Sequence, residues 1–146
     1  MQILSLIYPM AALVFLTFIM LYLLWTLRVK AVRAREISPR YFKLNRGGEL
    51  PEGITAVTQN YNNLLELPIL FYAVCIVAII LDLIIPNQSA EYFIYHAWAF
   101  VALRFLHTYI HTTYNHILHR LYVFALSSFV LLSMWVKVVL IVSENI

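Results

Sequence analysis

Apolar residues in this chain come in four long runs separated by polar breaks. About 20 consecutive apolar residues are what a helix needs to cross a hydrocarbon core roughly 30 Å thick. The runs cover residues 3–27, 64–85, 92–111 and 121–143. The first carries no charge, and the second is bracketed by Glu66 and Asp82. The third contains Arg104 and His107, and the fourth only Lys137. This pattern predicts an all-α membrane protein, a four-helix transmembrane bundle forming one domain over 1–146, with a loop over 28–62. Nothing interrupts the first helix before Ser38-Pro39, so it is expected to run past the membrane into KAVRAREI. Gly47-Gly48 and Pro51-Glu52-Gly53 mark irregular backbone. Thr55 or Thr58 is expected to cap the second helix, and Pro68 to kink it near Glu66. Asn87-Gln88-Ser89 is expected to form a tight turn.

Composition strengthens the membrane reading. The chain is 63% hydrophobic and 12% charged, against roughly 45–50% and about 25% in soluble domains. Seven of its ten Lys/Arg (Arg28, Lys30, Arg33, Arg35, Arg40, Lys43 and Arg46) fall in one stretch. The net charge of +3 therefore describes one loop and gives no reason to expect nucleic acid as a partner. By the positive-inside rule this loop is cytoplasmic, with Arg120 on the same side, and both termini are non-cytoplasmic. The first run lacks a basic leader and is followed by RVKAVRARE as a stop-transfer signal, so it reads as a retained helix rather than a signal peptide. Tyr8, Tyr22, Trp25, Tyr92, Tyr95, Trp98, Tyr122 and Trp135 fit interfacial aromatic belts. The single cysteine, Cys75, excludes a disulfide scaffold and reads as a small apolar packing residue.

The informative departures are ionisable groups at bilayer depth, where an isolated charge costs on the order of 3 kcal/mol or more. Gln59, Asn63 and Glu66 follow i, i+4, i+7 spacing on the second helix. Arg104, His107 and His111 do so on the third, joined by Thr108 and Asn115. Both stripes approach the cytoplasmic leaflet, and antiparallel helices with acid and base stripes suggest a Glu66–Arg104 contact, either structural or functional. Arg120 opens the fourth helix, where free N–H groups and the macrodipole favour an anion such as a thiolate, carboxylate or phosphate. The plainer reading of Arg120 is a topological anchor. His107, His111, His116 and His119 raise a metal, but the cluster brackets a helix end with one carboxylate, Glu66, nearby, and no metal is expected.

These residues resemble a known family. Four spans, a basic first loop, Asn63-x-x-Glu66 with Pro68 close by, Arg104-x-x-His107 on the third span and Arg120 opening the fourth are similar to the MAPEG proteins. The name stands for membrane-associated proteins in eicosanoid and glutathione metabolism. NNLLELPILFYA and WAFVALRFLHTYIHTTYNHILHR look closest to the uncharacterised bacterial branch, which implies a bacterial inner membrane. The resemblance implies a homotrimer with glutathione between subunits near the cytoplasmic face. Asn63 and Glu66 would hold its polar groups, Arg104 and His107 would contact it or brace that shell, and Arg120 would stabilise the thiolate. Family arginines are replaced here by Gln59 and Asn62, and tyrosines by His111 and Phe124. Arg28, Lys30 or Arg33 would supply the missing charge, and Tyr122 a phenol.

The function this implies is a glutathione- or thiol-dependent transferase or peroxidase acting on a lipophilic small-molecule electrophile among membrane lipids. The alternative is a non-catalytic protein binding lipids or small molecules on the same fold. A transporter or channel fits less well, because a polar stripe confined to one leaflet makes no path across the membrane.

Overall fold

The structure, a computed structural model, describes residues 2–38, 40–44, 50–86 and 89–145. Pro39, Gly47-Gly48 and Asn87-Gln88, where a helix break, irregular backbone and a tight turn are expected, lie outside the described residues, as does Arg46 of the basic stretch. A short 3₁₀ turn, Gln2–Leu6, leads into α1 (Ile7–Arg33). The one-turn α2 (Tyr41–Leu44) follows, then α3 (Glu52–Ile84), α4 (Ala90–Thr112) and α5 (Ile117–Glu144).

α1 stops earlier than its sequence suggests. Arg35 adopts a left-handed backbone, φ 59°. The N–H groups of Arg35 and Glu36 turn back to the carbonyls of Val32 and Ala31, at 3.1 and 3.0 Å. This is the Schellman arrangement, which satisfies the last carbonyls without a glycine. α3 likewise starts earlier, at Glu52 behind Pro51. Neither Thr55 nor Thr58 caps it: the Thr58 hydroxyl donates to Ile54 O at 2.7 Å inside the helix. α3 runs unbroken through the buried Pro68, so the proline is absorbed within a continuous helix.

The helices carrying α1, α3 and α5 have the length and hydropathy to cross a membrane, with best-window mean hydropathies of 2.3, 2.7 and 2.2. α4 has 23 residues, about 34 Å at 1.5 Å per residue. It falls short in hydropathy because His96, Arg104, His107, Thr108 and His111 interrupt it.

The four long helices pack as a rhomb. α3 and α4 form the short diagonal, each touching the other three helices, while α1 and α5 lie on opposite sides and do not meet. Phe71 of α3 and Phe100 of α4 stack across that diagonal, centroids 4.6 Å apart at 15°. Cys75 is fully buried beside them in the apolar core. Many large side chains face outward, among them Phe15, Phe18, Leu83 and Phe129. Such a surface suits a lipid solvent.

Candidate functional site

Burial on α3 and α4 follows a 3–4 spacing, as on any helix with one face against its neighbours. On α3 the buried positions are Ile54, Val57, Asn60, Leu64, Pro68, Phe71, Val74, Cys75 and Ala78. On α4 they include Phe93, Ala97, Phe100, Arg104, His107, Thr108 and His111. The polar stripe of α4 therefore continues its packed face. The polar stripe of α3 does not: Gln59 and Glu66 are exposed and Asn63 is half-buried.

This overturns the expected Glu66–Arg104 pair. Arg104 is fully buried, and its Nη2 donates to the main-chain carbonyl of Asn63 at 2.9 Å. That carbonyl lies one residue before Leu64, whose own carbonyl loses its helical donor to Pro68. Arg104 Nε and Nη1 have no partner among the described residues. The ring of Phe124 on α5 lies 5.8 Å from the guanidinium carbon, within cation–π range. Glu66 meanwhile points away from the helix packing.

The rest of the cluster is equally short of partners. The His107 ring lies 5.6 Å from that of His111 and 6.0 Å from Phe124. Thr108 Oγ1 donates to Asn60 Oδ1 at 3.3 Å. Asn60 Nδ2, His107 Nδ1 and both ring nitrogens of His111 find no hydrogen bond among the described residues. Buried polar groups in folded proteins are normally satisfied, so this concentration marks a place built for more than packing.

Arg120 closes the site from α5. It stands in the first turn rather than at the helix start, and its N–H already bonds His116 O at 3.1 Å. The N–H groups left free are those of the preceding residues. Its Nη1 donates to Asn115 Oδ1 at 2.8 Å, and Asn115 can reach it because its backbone is left-handed, φ 48°. Asparagine tolerates that conformation better than most residues. His107, Arg120, Phe124, Ile117 and Leu121 line a cavity of about 270 Å³. Among the described residues no carboxylate lies within ion-pair distance of either Arg104 or Arg120, so this corner carries positive charge without a counter-charge.

The structure thus brings together Arg104, His107, His111 and Arg120, with Asn63 joining through its main chain. Gln59, Glu66 and Tyr122 are exposed, and Tyr122 does not line the cavity; Phe124 does. Arg28 is occupied elsewhere, 3.4 Å from the Thr58 hydroxyl and 5.4 Å above the Phe42 ring. Sequence reasoning missed Asn60 and Phe124 as site residues. Asn60 had a signal, since it is the polar member of α3's apolar 3–4 repeat. Among the described residues, no group of three or more His, Cys, Asp or Glu side chains converges as a metal site.

No curated protein and no solved structure matches the chain. The MAPEG family model matches residues 6–140, from the end of the amino-terminal turn into the last part of α5. With three helices able to cross a bilayer and this match over nearly its whole length, the chain is an integral membrane protein and belongs to the MAPEG family.

Proposed function

We propose that the protein is a four-helix transmembrane bundle assembled as a homotrimer, and that it uses glutathione or a related thiol against lipophilic electrophiles, as a transferase or peroxidase. The observation that carries this reading is the fully buried Arg104, with no carboxylate against it among the described residues, beside a cavity lined by Arg120 and His107. A buried cation without a counter-charge is expensive, and an anionic substrate offsets that cost. Arg104 Nε and Nη1, Asn60 Nδ2 and His107 Nδ1 are orphaned donors or acceptors suited to a peptide-like thiol. Arg120, braced by Asn115, would hold the thiolate, and electrostatic stabilisation of that anion is the catalytic step. The exposed Glu66, at bilayer depth on α3, supports the trimer: a carboxylate there needs a protein partner rather than lipid. Positive-inside topology supports non-cytoplasmic termini, and the quoted motifs support a bacterial inner membrane as the setting.

Arg120→Ala should reduce thiol-dependent turnover by about 10²–10³ while thiol binding falls less. Arg120→Lys should recover only part, since a point charge lacks the planar fork. Ultraviolet absorbance of the bound thiolate, read on purified protein, provides the second measure. Unchanged absorbance and turnover in Arg120→Ala would end the catalytic assignment.

A second reading, a binding protein for lipids or small molecules without thiol chemistry, is favoured by one observation. Gln59 and Asn62 are neutral, and Arg28 is engaged by Phe42 and Thr58, which leaves few cations for glutathione's two carboxylates. Absence of any thiolate absorbance with glutathione added would select it.

A further inference from the structure

The opposite end of the rhomb carries a second polar feature that the thiol site does not use. α4 and α5 are antiparallel, so Tyr92 near the start of α4 lies beside the later turns of α5. There the two helices leave a cavity of about 450 Å³, whose lining includes Tyr92, Ser133, Lys137, Phe129, Leu132 and Val136. That volume lies within the usual range of small-molecule sites.

Lys137 is the only charged residue in the apolar run 121–143, and it is half-buried. Among the described residues, no carboxylate approaches it within ion-pair distance. It lies seven residues before Glu144, the end of α5, about 10 Å along the axis. A lysine at that depth lays its methylenes along apolar surface and lifts its ammonium toward the headgroup layer. Below it, Phe129 and Leu132 are 67% and 57% exposed. The groove is therefore apolar along its length, cationic near its top and open sideways.

We propose that this groove holds an anionic phospholipid, with its phosphate on Lys137 and one acyl chain along Phe129 and Leu132. Charge complementarity selects the anion, and the lateral opening selects a ligand that arrives through the bilayer. Tyr92, stacked on His96 with centroids 3.8 Å apart, forms the α4 wall. The Ser133 hydroxyl donates to Val130 O at 2.7 Å, so it leaves the positive end of the groove to Lys137. This site is independent of the thiol chemistry at the other end of the molecule.

The test uses the full-length protein reconstituted in phosphatidylcholine bilayers, with spin-labelled phosphatidylglycerol, phosphatidylcholine or stearate as probe. The measured quantity is the selectivity for each labelled lipid in the motionally restricted fraction. Phosphatidylglycerol selectivity should fall by about fivefold in Lys137→Gln, the effect of one lysine near a lipid surface, and persist in Lys137→Arg. The basic residues near α2 contribute equally to all three proteins, so the difference reports this groove. Val136→Trp keeps the charge but fills the groove, and should also reduce the restricted phosphatidylglycerol. Unchanged selectivity in Lys137→Gln, or in Val136→Trp should the first variant not fold, would overturn the proposal. So would a preference for stearate over phosphatidylglycerol, or disulfide formation between copies carrying Leu132→Cys.

Discussion

Arg104 is the residue whose surroundings differ most from what its sequence neighbourhood suggests. A buried arginine would normally be sought beside a carboxylate, and Glu66 stands at the right height. Yet Arg104 meets a backbone carbonyl and an aromatic ring. Removal of its charge therefore strands no partner. Arg104→Met should leave thermal stability equal to the wild type or raise it, as do apolar replacements of other buried charges. The same change should abolish binding of an anionic thiol. Combined with Glu66→Gln, the stability effects should add to within about 0.5 kcal/mol. A coupling of 2 kcal/mol or more in that double-mutant cycle would restore the pair.

At the scale of the element, helix ends decide where charges go. α1 ends in a left-handed arginine, a conformation that costs most residues about 1–2 kcal/mol. Arg35→Gly should therefore raise the unfolding midpoint in detergent, while Arg35→Val should lower it. An equal midpoint in the two variants would show that this turn carries no strain. The four long helices were legible in the sequence because apolar runs of that length have few other uses; Arg104 and His107 were legible because ionisable groups are so rare inside them, and Arg120 because it stands just ahead of the last run. Three things were not. The early end of α1 depends on one residue accepting a backbone that its side chain disfavours. The orientation of α3 turns on 100° per residue, so placing the stripe at Gln59 rather than Asn60 rotates it from the packed face to the exposed side. Phe124 has no polar atom to attract notice, and its importance comes only from what it covers.

At the scale of the whole molecule, Glu66 faces outward and Arg28 turns to Thr58 and Phe42, both at the outer edge of the bundle. If three copies assemble, light scattering corrected for bound detergent should report three chains per particle. Glu66→Leu should then shift the population toward single chains, because a polar contact between subunits is lost. If Glu66 instead faces lipid, the same substitution should stabilise the monomer, since it removes a carboxylate from hydrocarbon. Monomeric wild-type particles would remove the assembly from the proposal.

The rhombic packing bears on how the chain enters the membrane at all. α4 carries one arginine and three histidines, and alone it is a poor candidate for transfer from the translocation machinery into lipid. Its place on the short diagonal means that α1, α3 and α5 each cover part of it. During synthesis α1 and α3 emerge first and can wait in the bilayer, whereas α5 follows α4 after only four residues. This polar helix is thus delivered as half of a hairpin, and its polar face is shielded by partners already made or about to be made. The buried polar groups of α4 tie the biogenesis of this protein to the order in which its helices are born.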